Sequence, residues 1–503
     1  MKMLSKLRMR LAWQCLVGFM AAGGMVAAGA ASISDEAWLA RVAYSAQPEA
    51  LQKLKEMGRE AYLQEQLSPP ESDDLPKKVQ GYVRKLSSVQ VPAAQAMLDA
   101  RAQSRAVAEQ KENGEAGAKL RTKFAKTKQQ DTREAGERSV LRAAFSPWQL
   151  REQLTWFWFN HFNVFHAKGN IAFVLADYED TLRRHALGNF RDLLEASLKH
   201  PAMIIYLDNA QSTKEKPNEN YARELMELHT LGVDGGYSQA DVQALARILT
   251  GVSVDYQEGE PKLPKKLAGL YQSEGGFQFD PRRHDFSDKT FLGHTIKGQG
   301  WAEVEQVLDI LVAHPATAKH VASELATYFV ADKPSQGLID GAAKVFVETK
   351  GDIKATMKFL LESDEFAQNA GKQFKSPLQY AISAVQSADI NDPGRVVRVV
   401  RQSLAMSGQP LYGRLTPDGY ELQGSSWIST GQLANRLAIA ENVAGLRPGA
   451  SKKHKKGMKA DAQAQPVSMG KQASRRPEAK QAKAQPQQES LFLQIAGPAF
   501  MYR

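Results

Sequence analysis

Residues 218–229, NENYARELMELH, gather three carboxylates (Glu219, Glu224, Glu227), two carboxamides (Asn218, Asn220), Arg223 and His229 into one short stretch. At about 100° per residue, Asn220, Glu224 and Glu227 fall on one helical stripe flanked by Arg223, while Tyr221, Leu225 and Leu228 form the apolar centre of the helix. Two acids three residues apart repel unless something compensates. A base from another element, with Arg247 on the following helix as the candidate, would make the stripe a structural ion network. A divalent metal held by Glu224 and Glu227 with help from Asn220 would make it a binding site. A proton retained by one acid would make it an acid/base pair. His229 points roughly opposite Glu227 on this wheel, so it needs its own explanation. Near a helix C-terminus it either satisfies carbonyls or does chemistry.

Two further stretches carry reactive side chains. TWFWFNHFNVFH (155–166) surrounds Asn160 and His161 with aromatic rings. It reads either as a core helix with a satisfied histidine or as an apolar-walled pocket with Asn160 and His161 at its polar end. RRHDFSDKTFLG (282–293) reads as a loop carrying His284, Asp285, Asp288 and Lys289, where Asp285 is suited to orient His284 or to bind a cation. HExxH, GxSxG, GxxxxGK[ST] and GxGxxG motifs are all missing, which argues against the common zinc protease, α/β-hydrolase and nucleotide-binding classes.

The elements that must position these groups read as helices. Asn218 is an N-cap with Glu219 in the first turn, and the helix is expected to run through Leu231 to a stop at Gly232. Ser238 and Asp241 form a capping-box pattern for the next helix, ending near Gly251. Ser146 and Pro147 look like the N-cap and first residue of the aromatic helix. Breaks fall at Gln47-Pro48 and Gly58, and GGFQFDPRRHDF is left as a short strand or an irregular loop. The fold class expected is mostly α: a large, multi-helix, bundle-like single domain with irregular loops. Residues 100–140 suggest an exposed helix or an excursion.

Four basic residues (Lys2, Lys6, Arg8, Arg10) precede an apolar run that ends in Ala28-Gly29-Ala30. This is the pattern of a signal peptide over 1–30, cleaved before Ala31, and it predicts an exported, periplasmic or extracellular protein. Cys15, the one cysteine, lies in that leader, so the mature chain has no thiol for catalysis, disulfides or metal binding. The net charge is +10. The leader carries +4 and residues 451–488 carry +8, leaving −2 for the remainder. A near-neutral body argues against a nucleic-acid partner. Residues 447–488 are basic, of low complexity and poor in large apolar groups, which predicts disorder and suits contact with anionic envelope polymers. Residues 489–503 read as a closing helix docking on the domain formed by 31–446.

The block NENYARELMELHTLGVDGGYSQADVQALARILTG closely resembles the hallmark of a bacterial family known as domain of unknown function 1800. FWFNHFNV, LGNFRDLLEASLKHPAMIIYLDN, HDFSDKTFLG, HPATAKHVASELATYFV, KSPLQYAISAV, GQPLYGRLTPDGY, the Trp427/Asn435/Arg436 pattern and the final SLFLQIAGPAFMYR are similar to its other blocks, in family order. The resemblance covers about 35–445 and 489–503. Phe159 and Tyr420 depart from it, standing where a polar residue and a tryptophan are common, and 447–488 is an insertion. The resemblance implies an exported protein and, from the usual gene neighbourhood, an exported sulfatase-like partner. It implies no reaction.

Two functions stay open from sequence. In one, Asn160, His161, Asn220, Arg223, Glu224, Glu227, His284 and Asp285 line one cleft of a hydrolase-like or metal-dependent enzyme acting on envelope or extracellular material, with His229, Arg247 and Lys289 in support. In the other, the polar helix is a scaffold in a non-enzymatic partner or assembly factor of another exported protein.

Overall fold

The computed structural model describes residues 33–110, 114–257, 259, 261–445 and 486–503. The leader and most of the basic insertion lie outside the described residues. The described residues form 22 α-helices and two small antiparallel sheets, a mostly α domain. Strands β1 (Val252–Val254), β2 (Gln272–Glu274) and β3 (Phe277–Phe279) make one sheet in the order β1-β3-β2, with Val252 opposite Phe279. GGFQFDPRRHDF thus splits into a strand followed by a loop. Strands β4 (Lys289–Phe291) and β5 (His294–Ile296) form a hairpin.

Local chemistry accounts for most boundaries. The helix Pro48–Met57 begins after Gln47 and ends at Gly58, where Arg59–Gln66 starts. Ser238 and Asp241 form the expected capping box of Gln239–Ile248. The aromatic helix starts at Gln149, two residues beyond the expected start. The reason is tertiary: the side chain of Gln66 accepts from the Leu150 N–H and donates to the Pro147 carbonyl, which keeps Pro147 outside the helix. Residues 93–109 and 114–145 form two helices, and the second is buried from Glu134 to Ala144 except for partial exposure at Ser139.

One core runs through the domain, centred on the aromatic helix, whose thirteen residues are all buried. Trp158, Phe157, Phe159 and Phe162 pack against Phe190, Tyr178 and Phe329 around it. Phe159 packs on Tyr178 and Tyr412. Buried cations satisfy backbone at helix ends. Arg41 donates to the Phe329, Val330 and Phe366 carbonyls, the natural acceptors at helix C-termini. The closing helix Pro486–Ala496 begins before residue 489 and packs beside Thr430–Val443. The chain end bridges to Phe374 through Tyr502. Among the described residues no helix is long and apolar enough to cross a membrane.

Candidate functional site

The acidic helix is shorter than its sequence suggests. Asn218 caps it through the Asn220 N–H, and it spans Glu219–Glu227. The backbone then leaves helical geometry: the His229 N–H reaches the Glu224 carbonyl at 3.3 Å, and the Thr230 hydroxyl donates to the Leu225 carbonyl at 2.7 Å. His229 is therefore not on the helical wheel. Its ring is buried, and the carbonyls of Leu228 and His229 turn toward two other imidazoles.

Those imidazoles come from different elements. His161 is the last residue of the aromatic helix; its Nε2–H donates to the His229 carbonyl at 3.2 Å and its Nδ1 lies 2.6 Å from Glu324 Oε2. The two ring nitrogens thus face a carboxylate on one side and a backbone carbonyl on the other. His320 and Glu324 lie one turn apart on the helix Pro315–Phe329. His320 Nε2 reaches the Leu228 carbonyl at 3.0 Å and stands 3.9 Å from Glu324 Oε1. Gly232, at φ 82°, lets the chain pass His320: a Cβ there would sit 3.3 Å from its Nδ1. One donor atom each from His161, His320 and Glu324 lie within 4.8 Å of one another. Among the described residues this is the group of three side chains that could hold a metal ion.

The electrostatics of the cluster are uneven. Burial alone would raise the Glu324 carboxyl, but the His161 and His320 rings overcome it and hold it below the ordinary carboxylate range. The His229 ring is pushed well below the usual histidine range, by burial first and then by His161 and His320. Its Nε2 is buried with no hydrogen-bond partner. A small cavity of about 40 Å³ opens beside the cluster, lined by Phe157, Asn160, His161, Leu228, His320, Glu324, Asp418 and Leu422. It has room for an ion with water.

Asn160 and His161 thus border one cavity, but Asn160 works on backbone. Its carboxamide donates to the Tyr420 carbonyl at 2.8 Å and accepts from the Tyr420 N–H at 2.7 Å. It fastens a strap, residues 413–420, over the cavity. Gly419 (φ 70°) crosses so close that a Cβ would lie 2.3 Å from the Asn160 carbonyl oxygen. Asn163 holds the strap through the Arg414 and Thr416 carbonyls, and the Tyr206 hydroxyl donates to the Leu415 carbonyl. Tyr420 packs on Trp427 and donates to the Pro410 carbonyl.

The acidic stripe faces elsewhere. Glu224 and Asn220 line a second concavity of about 490 Å³ beneath Leu415 and Pro417 of the strap. The Glu224 carboxyl is raised by burial first, then by Glu227 and, more weakly, Asp418, against the opposing pull of Arg223. Glu227 leans to Arg223 at 3.8 Å and accepts from the Tyr237 hydroxyl. Arg223 also reaches Glu219 and Gln239.

Several expectations are corrected. Arg247 does not neutralise Glu224 and Glu227: its Nε lies 2.8 Å from Asp285, which also accepts from Ser287. Asp285 is thereby turned away from His284, and Glu303 orients that ring at 2.8 Å. Lys289 donates to the same Glu303 at 2.6 Å, and the side chains of all three are fully buried. His284, Lys289 and Glu303 form a closed structural cluster whose carboxylate also caps the Gln299 and Gly300 N–H groups. The metal-compatible group uses His161, His320 and Glu324, while Glu224 and Glu227 have no third ligand among the described residues. The single expected cleft is instead two neighbouring cavities and a separate buried cluster. His320, Glu324 and Asp418 were not singled out from sequence. The available signal was His320-x-x-x-Glu324, an i, i+4 pair on a helix whose apolar periodicity hid it.

The sequence model of the family described as "Protein of unknown function (DUF1800)" matches residues 37–502, and the chain belongs to that family. Neither a curated protein nor a solved structure matches it.

Proposed function

We propose that the chain is an exported, metal-dependent hydrolase acting on cell-envelope or extracellular material, with a divalent ion held by His161, His320 and Glu324. The observation that supports it is the convergence of two imidazoles and a carboxylate from two helices on one small polar cavity. Two histidines and one acid are a ligand set that hydrolytic zinc sites use, leaving a fourth position for water. The outer shell suits it as well: His161 gives its Nε2–H to a backbone carbonyl, the arrangement that fixes the tautomer of a histidine bound to metal through Nδ1. Bound there, the ion would supply a water of lowered pKa and polarise a substrate oxygen. The protein's own groups contribute a charged Glu324, an apolar wall at Phe157 and Leu422, and Asp418 as a further carboxylate on the same cavity.

Elemental mass spectrometry of the purified mature protein, with and without added zinc, tests this. A stoichiometric divalent ion is expected, lost in His320→Ala and Glu324→Gln but retained in Glu224→Gln and Glu227→Gln. Absence of any ion after incubation with zinc would sink the reading.

Export rests on the leader, and the basic segment 447–488 is proposed to hold the protein to anionic envelope polymers. Amino-terminal sequencing of the exported form should begin at Ala31. Deleting 447–488 should release the protein from envelopes at low salt; unchanged retention would refute the tether.

A second reading, a binding partner of an exported sulfatase-like protein, is favoured by one feature. Leu433 and Leu437 stand exposed one turn apart on Thr430–Val443, and Leu493 stands exposed on the neighbouring closing helix. Co-purification with a sulfatase-like neighbour that is abolished by Leu433→Glu/Leu437→Glu would support it, and co-purification indifferent to both changes would not.

A further inference from the structure

The second concavity holds two polar groups to which the described protein offers no side-chain partner. Asn220 and Glu224 stand one turn apart on the acidic helix and face the same side. Neither the Asn220 carboxamide nor the Glu224 carboxylate makes a hydrogen bond or ion pair with another described residue, whereas the neighbouring acids are occupied. Glu227 and Glu219 lie against Arg223. At the rim, Asp208 is paired with Lys168 at 2.8 Å. Across from the free pair, Phe165, Leu415 and Pro417 present apolar surface. Leu415 is 67% exposed although its backbone is held in place by Tyr206.

This combination selects a ligand chemistry. An anion would meet the Glu224 carboxylate and find the nearby cation already paired. A purely apolar ligand would strand both the carboxamide and the carboxylate. A multiply charged cation would find only one unpaired acid. A neutral polyhydroxylated ring satisfies every group: adjacent hydroxyls donate to the carboxylate and exchange hydrogen bonds with the carboxamide, while the C–H faces cover Phe165 and Leu415. The volume, about 490 Å³, is that of a small-ligand pocket.

We propose that the concavity between the acidic helix and the strap binds a neutral saccharide, with Asn220 and Glu224 receiving its hydroxyls and Phe165, Leu415 and Pro417 its C–H faces. This rests on the hydrolase reading for its role and names that enzyme's substrate class as a polysaccharide chain. The strap links the two cavities, since Pro417 lines this one and Asp418 lines the one at the histidine cluster. Leu228, four residues beyond Glu224, borders the latter.

Calorimetry and saturation-transfer NMR on the full mature protein would use cellotriose, chitotriose and maltotriose as probes, with trilysine as the cationic comparison. At least one trisaccharide is expected to bind. Glu224→Gln and Asn220→Ala should each weaken it about tenfold, with unchanged melting, because neither group is bonded within the protein. No binding by any of the three at millimolar concentration overturns the proposal. So does binding that ignores both substitutions, or trilysine binding alone that Glu224→Gln removes. Metal content is measured on the same preparations. Glu324→Gln should lose metal yet keep the saccharide, so a wild type that binds saccharide without metal defeats only the hydrolase reading. Metal without saccharide binding defeats only this inference.

Discussion

His161 and Glu324, 163 residues apart in sequence, meet through a 2.6 Å contact between Nδ1 and Oε2 in the core of the domain. This contact joins the end of the aromatic helix to the helix Pro315–Phe329. It also leaves the Nε2–H free to meet the His229 carbonyl, two residues past the end of the acidic helix.

Glu324→Gln should therefore reduce stability as well as metal binding. Losing the charge weakens the carboxylate contact to the buried His161 ring, and because Glu324 is partly exposed the expected loss is about 2 kcal/mol, below that of a fully buried pair. Urea unfolding with and without zinc separates the two effects: the loss in the absence of zinc measures the His161–Glu324 contact alone.

Asn160→Ala should unfasten the strap without unfolding the domain. Two hydrogen bonds to the Tyr420 backbone disappear, a local loss of about 2 kcal/mol. Hydrogen exchange across 413–422 should accelerate while the aromatic helix stays protected. Unchanged exchange in the strap would contradict the fastening role.

Glu303→Gln should be severely destabilising and functionally silent. Its carboxylate is fully buried, and it accepts from His284, Lys289 and two backbone N–H groups. Removing the charge strands Lys289, with an expected cost of about 3 kcal/mol in chemical denaturation. Metal content of the folded fraction should match wild type. A loss of metal would show that the cluster reaches the histidine site.

Lys375 offers a pH test in a different part of the core. Burial, reinforced by Arg436 and Arg503, lowers its ammonium to about 7. The unfolded chain keeps that proton up to the ordinary lysine range, so between about pH 7 and 10 the unfolded state binds more protons and stability rises with pH. The contribution is lost as pH falls to 7. Lys375→Met should flatten this slope and add about 1–3 kcal/mol at pH 7, measured by urea unfolding across that range. An unaltered slope would place the titration elsewhere.

Much of the fold was legible because its signals are local. The Asn218 cap, the Ser238/Asp241 capping box, the Gln47-Pro48 and Gly58 breaks and the overall helical periodicity each depend on atoms within a few residues. Half of the site was legible for the same reason: Asn160 and His161 stood out as polar groups among aromatics, and Asn220 and Glu224 as one stripe. What pairs with each was not. Arg247 finds Asp285, and His284 finds Glu303, because of where β4 and the helix Trp301–Ala313 come to lie.

Sequence by itself determined that the body is helical, that no cysteine follows Cys15, and that Glu224 and Asn220 share a helix face. These follow from side-chain type, backbone preference and a fixed turn angle. Only the tertiary structure decided that the acidic helix ends at Glu227, because the carbonyls of Leu228 and His229 just beyond it are taken by His320 and His161 from helices distant in sequence. It likewise chose His320 and Glu324 as the partners of His161. Long-range ion pairs and helix ends are settled by whichever donor packing brings within 3 Å, and no local rule encodes that meeting.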